Sequence, residues 1–243
     1  MTASDPSVDR QKRAAAEAAI ERVRDGQIIG LGTGSTVRFF LEGLAQRIKA
    51  GLRIQGVPTS KQTARLAHEL GIPLLPDEAE WSLDVAVDGA DLVDVHMNLI
   101  KGGGGALTRE KIVAWAAKQY IVIVDEGKCA DALGAPVPVP VEVLPFGWPA
   151  TARHLQRFAP SLTLRQSGGR PFITDNGHYI VDLMIERVAH PLDLDGRLNR
   201  VPGVVETGLF VDCTTLLIVG TDRGVKFVHP LRGEVQPYGD TTG

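Results

Sequence analysis

With 243 residues, 44% hydrophobic and 23% charged, the chain has length for one large domain or two modest ones and the balance of a soluble globular protein. Its net charge of −3 excludes a global basic field for nucleic acid or an anionic membrane, so an anionic ligand must be met by local cations and backbone amides. Its two cysteines, Cys129 and Cys213, stand far apart with no C-x-x-C, which argues against a disulfide scaffold or a zinc site and suits a reducing cytosol.

The polar start, residues 1–13, lacks the apolar core of a signal peptide, and apolar runs such as 121–124 are too short to cross a bilayer. The expected setting is therefore soluble and cytoplasmic. After a loose tail over 1–8, Ala14, Ala18 and Ile20 mark an Ala-rich helix over 8–24, broken at Asp25-Gly26. A buried strand over 27–31 runs into Gly32-Thr33-Gly34-Ser35-Thr36 and then a helix carrying Val37, Phe39, Phe40, Leu41 and Leu44. A second strand, 53–57, passes through Pro58-Thr59-Ser60 into a helix over 61–70, and a third, 84–87, ends at Asp88-Gly89-Ala90-Asp91. Leu99-Ile100 leads into Lys101 and four glycines, then a helix over 108–119 and a fourth strand over 120–124. Short apolar strands alternating with helices predict an α/β fold with a mainly parallel, Rossmann-like sheet flanked by helices, its ligands gathering at the carboxyl ends of the strands.

The pattern changes near Pro136. Pro136, Pro138 and Pro140 alternate with valines, which predicts an extended crossing rather than a central strand. A helix over 150–158, a strand over 162–165, a turn at Gly168-Gly169 and a strand around Phe172-Ile173 follow. Asp175-Asn176-Gly177-His178 is a hairpin signal leading to a strand over 179–187. These elements form a smaller α+β (ferredoxin-like) unit, expected at 131–204 as an insert in a discontinuous catalytic domain of 1–130 and 205–243. Residues 202–208 read as the return, and 216–220 and 225–228 as closing strands.

The turn after the first strand fails the dinucleotide pattern: Ser35 stands at the third glycine position, and Ile54-Gln55 stand where an acid is needed. What remains is chemistry for a monophosphate, namely the hydroxyls of Ser35 and Thr36 with amides at a helix N-terminus; a simple helix cap at Ser35 is the competing reading. Asp88 and Asp91 at a strand end can hold sugar hydroxyls, a divalent metal, or merely an Asp/Gly turn. Lys101 with its glycines reads as an anion-cradling backbone; a flexible surface loop before a helix is the competing reading. Glu110, in the first turn of a helix that Thr108 would cap, sits where the helix dipole favours a carboxylate. Lys128 lies after the fourth strand and can point into the same crevice.

Thr33-Gly34-Ser35-Thr36, Asp88-Gly89-Ala90-Asp91, Lys101-Gly102-Gly103-Gly104 with Glu110, and Lys128 occur in an order and spacing that closely resembles ribose-5-phosphate isomerase of the A type. The resemblance continues through Pro140-Val141-Glu142-Val143, residues 172–177 and residues 202–210. It implies interconversion of D-ribose 5-phosphate and D-ribulose 5-phosphate without cofactor or metal, with Glu110 as the base and the other motifs lining the substrate site. It also implies a homodimer or homotetramer whose partner is a phosphorylated pentose. Gly127 replaces the serine frequent before the last lysine, and Lys12 is a weaker phosphate candidate. A non-catalytic sugar-phosphate sensor is the alternative from another class; such sensors usually carry an attached DNA-binding module, and no basic helix-turn-helix stretch precedes the domain here.

Overall fold

The computed structural model describes residues 5–230; residues 1–4 of the expected tail lie outside the described residues. In chain order the first half holds α1 (Pro6–Ile20), β1 (Ile28–Leu31), α2 (Ser35–Lys49), β2 (Gln55–Pro58), α3 (Lys61–Leu70), β3 (Val85–Asp88), β4 (Leu92–Val93), β5 (Leu99–Ile100), α4 (Leu107–Ala116) and β6 (Tyr120–Asp125). A 3-10 turn at Glu126–Lys128 leads to β7 (Val139–Val143), α5 (Trp148–Leu155), β8 (Ser161–Leu164), β9 (Gln166–Ser167), β10 (Arg170–Pro171) and β11 (Tyr179–Met184). The chain closes with α6 (Pro191–Asn199), β12 (Val204–Thr207), β13 (Leu209–Phe210), β14 (Leu216–Thr221) and β15 (Gly224–Val228). No helix among the described residues is long and apolar enough to cross a membrane.

The elements divide into two compact units. The first comprises the described residues 5–90, 109–128 and 212–230. Its six-stranded sheet has the order β15-β14-β6-β3-β1-β2, parallel throughout except for the β14–β15 hairpin. Strand alternation assigns its faces. Ile29, Leu31, Val85, Val87, Ile121 and Ile123 join Ala15, Ala16 and Ala19 of α1 and Val37, Phe40 and Leu44 of α2 in one apolar cluster. Gly30 and Ala86 face the other way, where a Cβ on Gly30 would stand 2.4 Å from Val113 Cγ1 of α4. These small side chains let α4 lie close against the sheet, with Glu110, Val113 and Ala114 all on its buried side. Asp5 caps α1 by accepting from the Ser7 N–H at 2.9 Å, with Pro6 at the first helical position, so part of the expected tail is helix. Buried Gln11 then fastens α1 to the turn that bears Lys128, its Nε2 donating to Glu126 Oε1 at 2.6 Å and to Asp222 Oδ1 at 3.0 Å.

The second unit comprises residues 91–108 and 129–211. Its main sheet is antiparallel, order β12-β7-β11-β8, with α5 and α6 completing the chain order β-α-β-β-α-β of a ferredoxin-like arrangement. Val139, Val141, Val143, Val181 and Leu183 pack there with Leu155 and Leu198 of the two helices. A separate three-stranded sheet pairs β4 with β5 and β5 with β13. The unit thus takes in 91–108, outside the contiguous insert expected from sequence, because Leu99 and Ile100 pair with Phe210 and Leu209.

Two local expectations give way, and one helix was not foreseen. The Pro140 segment is a central strand, β7, with neighbours on both sides. It is tolerated because the β12 ladder ends at Val141, and Pro140 uses its carbonyl to accept from Gly208 N at 2.7 Å. Phe172 and Ile173 are not a strand; the short hairpin β9–β10 precedes them, and Ile173 is exposed. Helix α6 had no readable signal, since Gly196 interrupts it and Leu198 is its one buried residue.

Candidate active site

In the first unit the chain leaves β1 for β2 on one side and returns to β3 on the other. The carboxyl ends of β1 and β3 therefore bracket the switch point where parallel α/β sheets hold their ligands. There Asp88, almost fully buried, accepts at Oδ1 from Thr33 N at 3.0 Å and from Gly89 N at 2.8 Å. Gly32 is required at this junction, since a Cβ on it would stand 2.2 Å from Asp88 Oδ1. The Thr33 hydroxyl is held in a cluster with Thr59 (2.8 Å), Ser60 (2.8 Å) and Thr63 (3.1 Å). The N–H and the hydroxyl of Thr33 thus both bond within the frame between β1, β3 and α3. Gly34, at φ 126°, occupies the N-cap of α2 with no side-chain cap bond, so Ser35 is the first helical residue instead of its cap. Gly34 and Ser35 are exposed, which leaves the start of α2 open to an anion.

Glu110 lies in the first turn of α4, buried on the side that faces the sheet. Tyr120 at the start of β6 is buried as well, and its hydroxyl has no hydrogen-bond partner among the described residues. Burial, then the charges of Asp88, Cys213 and Glu110, push its phenol well above the ordinary range and keep it protonated. Lys128 ends the 3-10 turn after β6, half-buried. Thr33, Gly34, Ser35, Thr36, Asp88, Gly89, Ala90, Glu110 and Lys128 all belong to this first unit.

Asp91, Lys101, Gly102, Gly103 and Gly104 belong to the second. Lys101 follows β5; its backbone N–H donates to Gly208 O at 2.9 Å, and its buried Nζ lies 5.5 Å from the centre of the Phe210 ring. Gly102 turns the chain at φ 105°, a conformation closed to most side chains. The Gly103 N–H donates to Asp91 Oδ2 at 2.7 Å, so that amide organises an acid instead of facing a ligand. The unit boundaries fall between Ala90 and Asp91 and within α4, after Thr108.

Thr108 is inside α4 and is not its N-cap. Its hydroxyl donates instead to Glu142 Oε2 at 2.5 Å. Glu142, fully buried on β7, also receives at Oε1 the Thr174 hydroxyl (2.8 Å), the Asn176 amide (3.3 Å) and His178 Nδ1 (2.9 Å). The Asp175-Asn176-Gly177-His178 turn is therefore an anchor for the first turn of α4. From sequence, His178 stands only in a hairpin signal and Glu142 has no role of its own; the one available signal was a carboxylate alternating with valines, where a strand should be apolar. Among the described residues no group of three or more His, Cys, Asp or Glu side chains is placed to hold a metal ion.

The family model for ribose 5-phosphate isomerase A (phosphoriboisomerase A) matches residues 55–224. The ribose-5-phosphate isomerase A of Gloeobacter violaceus is 47% identical over 92% of this chain and 97% of its own. The chain belongs to the ribose 5-phosphate isomerase A family. Among solved structures, a D-ribose-5-phosphate isomerase in complex with phospho-erythronic acid superposes with a TM-score of 0.89 at 44% identity, over 91% of this chain and 99% of that one. The family member from Methanocaldococcus jannaschii gives 0.86 at 38% identity, over 90% and 98%. The span matched by the family model takes in residues of both units, among them the glycine run and β7.

Proposed function

We propose that this chain interconverts D-ribose 5-phosphate and D-ribulose 5-phosphate through an enediolate, with Glu110 carrying the proton. The observation that carries this reading is a carboxylate buried on the sheet side of α4, in the unit whose switch point holds Asp88, within a chain of this family. Moving a proton between adjacent carbons of an open-chain sugar needs one base and donors aimed at the oxygens where charge develops. Glu110 removes the proton from carbon 2 of the aldose and returns it to carbon 1. Lys101, with the Gly102 and Gly104 amides, stabilises the enediolate oxygens. Asp88 and Asp91 hold sugar hydroxyls and assist ring opening. The open start of α2, with Gly34, Ser35 and Thr36, receives the phosphate together with Lys128, and Lys12 is a further cation for it. Thr33 acts through Asp88 rather than on the phosphate.

Mixing the purified protein with ribose 5-phosphate and assaying for ketose tests the reading; binding without ketose would mark a non-catalytic sugar-phosphate binder instead. Turnover should be unchanged after exhaustive dialysis against a chelator, and a loss restored by a divalent ion would return Asp88 and Asp91 to metal ligation. Gly32→Ala forces the new methyl onto Asp88, so kcat/KM should fall by roughly 10²-fold. The same variant should lose only about 1–3 kcal/mol in urea unfolding, the usual range for overpacking. The assembly is read as a homodimer or homotetramer, which light scattering distinguishes from a monomer. A cytoplasmic setting is supported by Cys129 and Cys213, neither of which forms a disulfide.

A further inference from the structure

We propose that Arg165 is a positioning residue for the sugar-binding side of the glycine run, acting through the carbonyls of Gly102 and Gly103 on Asp91 and on the Gly104 amide. The proposal rests on the isomerase reading above and adds to it a residue outside every motif that carried the family resemblance.

Arg165 follows β8 in the second unit, its side chain 15% exposed. Its guanidinium is used on two edges. Nε and Nη2 grip the Asp182 carboxylate of β11 at 2.9 Å and 2.5 Å, a fork-to-fork pair that fixes the plane of the group. Nη1 is thereby aimed at the glycine run, where it donates to Gly102 O at 2.5 Å and Gly103 O at 3.1 Å. Gly102 O also accepts from Gly105 N at 3.0 Å, and the Phe172 ring centre lies 6.0 Å from Arg165 Cζ, packed where a Cβ on Gly105 would be.

Peptide geometry carries the effect across the loop. In a planar trans peptide the carbonyl and the next N–H point in opposite directions. Fastening Gly102 O to Arg165 turns the Gly103 N–H away from it, and that N–H meets Asp91 Oδ2 at 2.7 Å. Fastening Gly103 O turns the Gly104 N–H the same way. A run of four glycines has no side chains of its own to choose this orientation, and each glycine would otherwise sample many backbone conformations. One guanidinium that needs all three of its nitrogens supplies the choice. A lysine ammonium at this place would be a point charge without the fork.

The test uses the full chain with Arg165→Met and Arg165→Lys, assayed on ribose 5-phosphate. Expected for both is a kcat lower by about 10-fold to 10²-fold, the scale of a displaced reacting group, with KM nearly unchanged. Affinity for phospho-erythronic acid, the ligand of a related isomerase, should fall in step with kcat. Turnover within about twofold of the parent in folded Arg165→Met, a loss confined to KM, or full recovery in Arg165→Lys would each overturn the proposal. If Arg165→Met does not fold, Arg165→Lys, which keeps stem and charge, decides by the same criteria. A parent chain inactive on ribose 5-phosphate would remove the isomerase reading itself. An active parent, silenced by Glu110→Gln but untouched by the Arg165 variants, would remove this inference alone.

Discussion

Glu110→Gln should lower kcat by at least about 10²-fold while the KM for ribose 5-phosphate stays within a few-fold, as expected when a general base is lost but binding is kept. The amide matches the carboxylate in size, so the buried side of α4 keeps its packing against β1, while the negative charge and the capacity to accept a proton go. Two measurements separate this from general damage. Steady-state ketose formation gives the fall in kcat, and exchange of the carbon 2 hydrogen with solvent deuterium should disappear together with it. Phospho-erythronic acid should still bind. Near-normal turnover in this variant would remove Glu110 from the mechanism and leave Asp88 as the remaining buried carboxylate at the switch point.

Glu142→Ala should destabilise the chain by about 3–5 kcal/mol, the range for removing one member of a buried charged network. Four donors converge on that carboxylate from the first turn of α4 and from the turn Thr174 to His178, and alanine strands them in a fully buried place. Glu142→Gln is the informative control. Its carbonyl oxygen can still take the three donors at Oε1, and its amide can donate to a Thr108 hydroxyl rotated to accept. That variant should lose only about 1 kcal/mol, the net value of an ordinary hydrogen bond. Urea unfolding followed by circular dichroism measures both, and equal losses would show that the site is sensitive to charge and not to stranded donors. Because Thr108 precedes Glu110 by two residues, Glu142→Gln should also lower kcat slightly more than it raises KM.

The strand-end motifs were legible because each is local. Glycine followed by hydroxyls after an apolar run, or Asp-Gly-Ala-Asp after another, reports a chain that must turn and expose polar atoms at the end of a buried strand. The same locality explains the misreadings. Thr108 has the composition of an N-cap, yet its hydroxyl is claimed by Glu142, a residue 34 positions away. Nor does the turn itself show that the Thr33 hydroxyl meets Thr59, Ser60 and Thr63 across the β1–β2 crossover. Pro140 reads as a strand breaker because the register that spares its missing donor is a property of β12. Arg165 and Asp182 carry no local signal; they meet because β8 and β11 pair side by side, with Thr163 opposite Asp182.

The sequence by itself therefore determined the mainly parallel α/β sheet and the second α+β unit, and it offered candidates for proton transfer and phosphate binding, since apolar period, turn chemistry and side-chain type act over a few residues. Only the tertiary structure showed which of those polar groups bond within the frame, as the Thr33 and Thr108 hydroxyls do. It also decided that 91–108 joins the second unit and that an arginine just after β8 holds the glycine carbonyls. The physical reason is common to these cases. A hydrogen-bonding group is spent on whichever partner approaches within about 3 Å, and that approach is set by strand register between segments far apart in the chain.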